Sequence, residues 1–107
     1  MEFSIKRGDT SPSIKLRLTP AINLVGATVA FNVVGHDDGI NIDRAVAGFD
    51  NSASPMSSTL FYDWQEADTA AIDTYANAEF EVTYADGTVE TFPRTDFVVV
   101  KVTKDLG

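Results

Sequence analysis

The sequence predicts an all-β fold: an antiparallel β-sandwich of about seven to eight strands with at most one short helical turn. Three observations carry this. Short runs of alternating apolar and polar residues recur along the 107-residue chain. Turn-forming clusters separate them about every ten residues. Almost no stretch has the three-to-four-residue apolar spacing of a helix. The length suits one domain, residues 1–107, with a single core.

Taken in order, Glu2 to Lys6 sets Phe3 and Ile5 against polar neighbours and reads as a first strand. Arg7 to Pro12 is a turn cluster. Ser13 to Thr19 follows, with Ile14, Leu16 and Leu18 on one face and Lys15, Arg17 and Thr19 on the other. Pro20 to Gly26 is a connection, with Leu24 and Val25 expected beneath it. Ala27 to Val34 is apolar on both faces and is expected at the centre of the sheet. A turn at Gly35–Gly39 leads to Ile40, Ile42 and Arg44 to Phe49, a weaker strand whose pattern slips near Asp43. Asn51 to Ser58, rich in Ser and Asn and holding Pro55, has the composition of a loop. Thr59 to Trp64 resumes as a strand. Gln65 to Asp73 is too short for a stable isolated helix and is expected to form one linking turn.

Tyr75 to Pro93 is the sharpest local signal. Ala78, Phe80, Val82 and Tyr84 alternate with Glu79, Glu81 and Thr83, and Asp86-Gly87 then precedes a second run. Asp-Gly between alternating runs marks a hairpin, because glycine takes positive φ without steric cost. Two registers compete. A two-residue turn would set Phe92 opposite Glu81 on the wet face. A three-residue loop, Ala85 to Gly87, pairs Tyr84 with Thr88 and Phe80 with Phe92. A one-residue slip flips every side chain, and burying one Phe is worth roughly 1.5–3 kcal/mol, so the three-residue loop is expected. Asp96 to Thr103 closes the sheet, its continuous run Phe97 to Val100 suggesting a strand covered on both sides.

Composition narrows the function. Sixteen acidic against eight basic residues give a net charge of −8, which argues against nucleic acid or an anionic membrane as partner. Charged partners should be basic or protein-like. The absence of cysteine excludes disulfides, thiolate metal sites and a thiol nucleophile. No apolar signal region or membrane-length run is visible, so a soluble chain without an export signal is expected.

Sites for chemistry are hard to assemble. His36 lies in a Gly/Asp-rich turn with no Ser or Cys nucleophile nearby in sequence. Asp37 to Asp43 loosely resembles a calcium loop but breaks its alternating spacing, and a plain turn is preferred. Asp63, Glu66, Asp68 and Asp73 surround Trp64. Paired carboxylates there would suit glycoside hydrolysis, and Tyr62 with Trp64 would suit a carbohydrate-stacking platform. The preferred reading is a solvated turn with Trp64 capping the core. Arg7-Gly8-Asp9 matches the integrin-binding tripeptide but reads as a strand-to-strand turn. The expectation is a non-enzyme with no cofactor, no metal and no small-molecule substrate.

Three segments together carry a resemblance: F-x-I-K-R-G-D-T-x-P at Phe3 to Pro12, L-V-G-A-T-V-x-F at Leu24 to Phe31, and the hairpin Tyr75 to Pro93. With Phe61 to Trp64 and Asp68-Thr69, they resemble the small immunoglobulin-like domain at the N-terminus of tailed-phage baseplate upper proteins and related phage structural proteins. The resemblance implies an immunoglobulin-like β-sandwich acting in a virion, assembled in the host cytoplasm, through contacts with other virion proteins and with its own copies. Baseplate members continue into helical and receptor-binding parts, whereas this chain stops at Gly107. The expected role is therefore a tail, baseplate or adaptor building block, with capsid decoration or a head–tail accessory role as an alternative. The expected interface is the edge strand Glu2, Phe3, Ser4, Ile5 and Lys6, together with Asn51, Pro55 and Met56 of the polar loop.

Overall fold

A computed structural model describes residues 1–36, 40–53, 56–72 and 74–104 of the chain. The sheet is built around β6 (Tyr75–Thr83), the strand of the hairpin. The others are β1 (Glu2–Lys6), β2 (Ile14–Arg17), β3 (Thr28–Gly35), β4 (Ile40–Ala53), β5 (Met56–Tyr62), β7 (Val89–Phe92) and β8 (Val98–Thr103), with one helix, α1 (Glu66–Ala71), between β5 and β6. The strands run β1-β8-β6-β3-β4-β5-β2, and β7 lies on β6 beside β8. The all-β expectation holds, as one mixed sheet nearly closed into a barrel. A purely antiparallel arrangement does not: β1 runs parallel to β8, Glu2 against Val99 through Lys6 against Thr103.

The hairpin takes the expected register. Phe80 sits opposite Phe92, the Tyr84 amide donates to the Thr88 carbonyl, and the Gly87 amide returns to the Tyr84 carbonyl. Gly87 has φ +88°, a conformation glycine adopts without penalty. Asp86 accepts from the Thr88 hydroxyl (2.7 Å) and amide (3.0 Å), and these bonds hold its carboxyl below the usual carboxylate range. β7 and β8 then lie end to end along β6, interrupted by residues 93–97 opposite Glu79.

β3 is central, between β4 and β6. The slip near Asp43 is a β-bulge: Phe31 pairs with Ala45 but Val33 with Ile42, so β4 carries one extra residue there, and a second shift follows where Val34 pairs with Ile40. Arg44 takes φ +53° there. Its amide donates to Asn32 Oδ1, and its guanidinium pairs with Glu81 at 2.7 Å.

Three expectations need correction. Asn51 to Ala53 and Met56 to Ser58 are strand rather than the expected loop: β4 runs on to Ala53 and β5 begins at Met56, with Ala53 paired to Met56. β4 thereby serves two neighbours, pairing with β3 through its first half and with β5 from Gly48 onward. Val25 is exposed rather than tucked under its connection, although Leu24 is fully buried. β8 alternates buried and half-buried residues, and Phe97 is exposed, so this strand is covered on one face only.

Inward residues of all eight strands meet in one core. An aromatic cluster crosses it: Phe31 stacks on Tyr62 (4.5 Å) and tilts against Phe80 (4.8 Å), while Trp64 stands edge-on to Phe31 and Tyr62 and stacks on Phe3 (5.8 Å). β1, β3, β5 and β6 are joined through these rings.

Candidate functional site

The residues expected to mediate assembly fall in two places. β1 is the terminal strand of the sheet. Phe3 packs on Trp64 and Ile5 is buried, which fixes the inner face; Glu2, Ser4 and Lys6 are exposed. Two bonds to β8 set the phase of the backbone: the Val99 amide donates to the Met1 carbonyl, and the Arg7 amide to the Thr103 carbonyl. Odd-numbered β1 residues therefore bond β8. The backbone groups of Glu2, Ser4 and Lys6 point away from it, and of these the Lys6 carbonyl accepts from the Asp9 amide.

Asn51 and Met56 lie at the β4–β5 hairpin; Pro55 is outside the described residues. Met56 is exposed at the start of β5. Asn51 is not free to recruit a partner with its amide. Its Oδ1 accepts from the Leu24 amide, and its Nδ2 donates to the Ile22 and Ser57 carbonyls. It ties the connection before β3 to the hairpin, joined there by buried Ser58, whose hydroxyl accepts from the Ile22 amide.

Tyr62 and Trp64 do not form a ligand platform. Tyr62 is 6% and Trp64 2% exposed, with their ring faces against Phe3 and Phe31. Two of the acidic residues around them, Asp68 and Asp63, have structural partners, and Glu66 lies in the first turn of α1. Asp68 Oδ2 accepts from the Tyr62 hydroxyl (2.6 Å) and from the Gln65 amide at the start of α1 (2.8 Å). Asp63 accepts from the Ser13 hydroxyl. Burial, the bond to Asp68 and the charges of Asp68 and Asp63 together push the Tyr62 phenol well above its ordinary range. Asp73 lies outside the described residues. So do residues 37–39 of the stretch that loosely resembles a calcium loop, and among the described residues no group of three or more His, Asp or Glu is arranged to hold a metal. His36 Nε2 meets Asn77 Oδ1 at 2.8 Å, and its ring stacks on Tyr75.

Two features were not anticipated from sequence. The first is a clamp at Thr69, a buried hydroxyl on α1. It accepts from the Gly8 amide and donates to the Asp9 carbonyl, both at 3.0 Å. It thus holds the turn after β1 across 60 residues of sequence. The only advance signal was the Asp68-Thr69 pair itself. The second is a seam between β2 and β7, where a groove of about 250 Å³ is lined by Leu16 to Pro20 on one side and Phe92 to Arg94 on the other. Partners so distant in sequence leave no local pattern.

No protein-family model matches the chain, and no curated protein matches it.

Proposed function

We propose that this chain is a bacteriophage virion structural protein, a tail, baseplate or adaptor building block that works by protein–protein assembly. In this reading the nearly closed sheet is an immunoglobulin-like sandwich opened along one seam. It assembles in the host cytoplasm with neighbouring virion proteins and with copies of itself, since symmetric assembly is the rule for such parts. The observation that carries the reading is the Thr69 clamp. The G-D-T turn at Gly8 and the D-T pair at Asp68, two separate parts of the resemblance, meet through hydrogen bonds to one buried hydroxyl. The motifs of the resemblance are thereby parts of one piece of architecture. The open edge of β1 supplies a surface suited to assembly, because unpaired strand groups template pairing with another chain.

The test is reconstitution. Particles assembled without this chain are mixed with the purified protein, and the bound protein is located by labelled electron microscopy. Uptake at one defined position supports the reading, and that position distinguishes tail from capsid. Particles that are complete and infectious without the chain, and that bind none of it, would refute it.

A further inference from the structure

We propose that the seam between β2 and β7 is a β-augmentation site for an extended acidic segment of a partner protein. The inference rests on the two edges of the seam and does not depend on the virion reading.

Both walls present open strand edges. In the β2–β5 pairing, the Leu18 amide bonds the Ser58 carbonyl, so Ile14, Leu16 and Leu18 bond β5. The backbone groups of Lys15 and Arg17 point the other way, away from β5, and Arg17 lines the groove. In the hairpin, the Tyr84–Thr88 bond sets the phase by the same reasoning: Glu90 and Phe92 bond β6, the backbone groups of Val89 and Thr91 point away from it, and the strand reaches the groove at Phe92. Among the described residues β1 pairs with β8 alone, from Val99 onward, and no strand is paired with the outer edge of β7.

Direction and chemistry define the occupant. Successive antiparallel steps from β7 through β6, β3, β4 and β5 to β2 make β2 antiparallel to β7. A strand entering between them runs antiparallel to one wall and parallel to the other. Pro93, at the end of β7, has no amide to offer, so β2 supplies the more regular edge. Buried Leu16, Leu18 and Phe92 form the floor of the groove and favour small apolar side chains pointing inward.

The outward positions select charge. On a chain of net charge −8, the two charged residues lining this groove are both arginines, Arg17 and Arg94. Arg94 is engaged by Glu90 at 2.7 Å and lies over the Phe92 ring. Arg17 is exposed and forms no ion pair among the described residues. Lys15 stands on the same outer face as Arg17, one pleat away, but in a pocket it shares with Asp50 and Asp63, so Arg17 is the cation that faces the groove. An incoming strand places its outward side chains beside this cation, and opposite charges across a strand pair attract while like charges repel. The ladder supplies affinity and the side chains supply choice, as in other strand-addition sites.

The test uses a blocked peptide of about seven residues alternating glutamate and valine, a length that fits a typical strand. It is added to the isotope-labelled full chain, and amide hydrogen exchange is followed residue by residue. The expected result is slowing of at least about tenfold at the Lys15 and Arg17 amides, the fold-change equivalent to about 1.4 kcal/mol. A lysine–valine peptide of the same length should bind at least about tenfold more weakly, and Arg17→Glu should reverse that preference. N-methylating alternate peptide amides should abolish the protection. Equal binding of both peptides, or protection confined to Glu2, Ser4 and Lys6, would overturn the proposal. So would seam amides that are already protected in the free protein in a concentration-dependent way, which would make a second copy the occupant.

Discussion

Trp64 shows what a single side chain does here. Its ring touches the aromatic residues of β1, β3 and β5, and its Nε1 is buried without a hydrogen-bond partner among the described residues. Its contribution is therefore packing and apolar burial, gained in spite of an unsatisfied donor. Trp64→Ala should cost about 3–5 kcal/mol, read by chemical denaturation, and Trp64→Phe distinctly less because it also removes the orphan N–H. A cost under about 1 kcal/mol for the alanine variant would mean that the cluster does not hold the sheet together. The tyrosines give a pH test. Burial, the bond to Glu90 and the Glu90 charge push the Tyr84 phenol up to about 12 against the opposing pull of Arg94, and Tyr62 is raised further. A raised phenol favours the fold fully below the ordinary tyrosine value, and that stability is lost as pH rises through the raised one. At about pH 11, one unit above the ordinary value of about 10, native protein should keep these two phenols protonated by tyrosinate absorbance. Denaturant should release them. All three tyrosines of the sequence ionising together in the native protein would contradict the geometry.

Among the elements, legibility followed locality. The hairpin register could be read because Phe92 had two possible faces and only one buries it. The bulge at Arg44 showed as a broken alternation near Asp43. β4 beyond Phe49 was illegible because Asn51 and Ser52 are exposed and leave no apolar stripe, although their backbone pairs with β5. The parallel pairing of β1 with β8 joins opposite ends of the chain with no turn signal between them. The Thr69 clamp likewise depends on proximity that only the folded chain provides. It docks α1 against the turn after β1. Thr69→Val keeps the shape but strands the Gly8 amide and the Asp9 carbonyl, and should cost about 1–3 kcal/mol. Faster amide exchange at Gly8 should accompany that loss. An unchanged melting curve would show that α1 is held by packing alone.

At the scale of the molecule, the sheet wraps a single aromatic-rich core and stops short of closing. That leaves a free edge on β1 and a seam between β2 and β7. The sequence made the strands and the central place of β3 legible, but not the seam, because closure depends on how β4 passes from one neighbour to the other. The candidate residues divided on the same principle. Glu2 to Lys6 was recognisable as a strand from its own alternation, whereas the burial of Tyr62 and Trp64 depended on rings contributed by β1 and β3. Within the assembly reading, the free edge of β1 is where the chain meets its neighbour. Ser4→Pro tests this most directly, because the Ser4 amide points away from β8 and proline is tolerated at such edge positions. The variant should melt close to the parent protein yet fail to join particles that take up the parent. Uptake equal to that of the parent, with the fold intact, would contradict assembly through this edge.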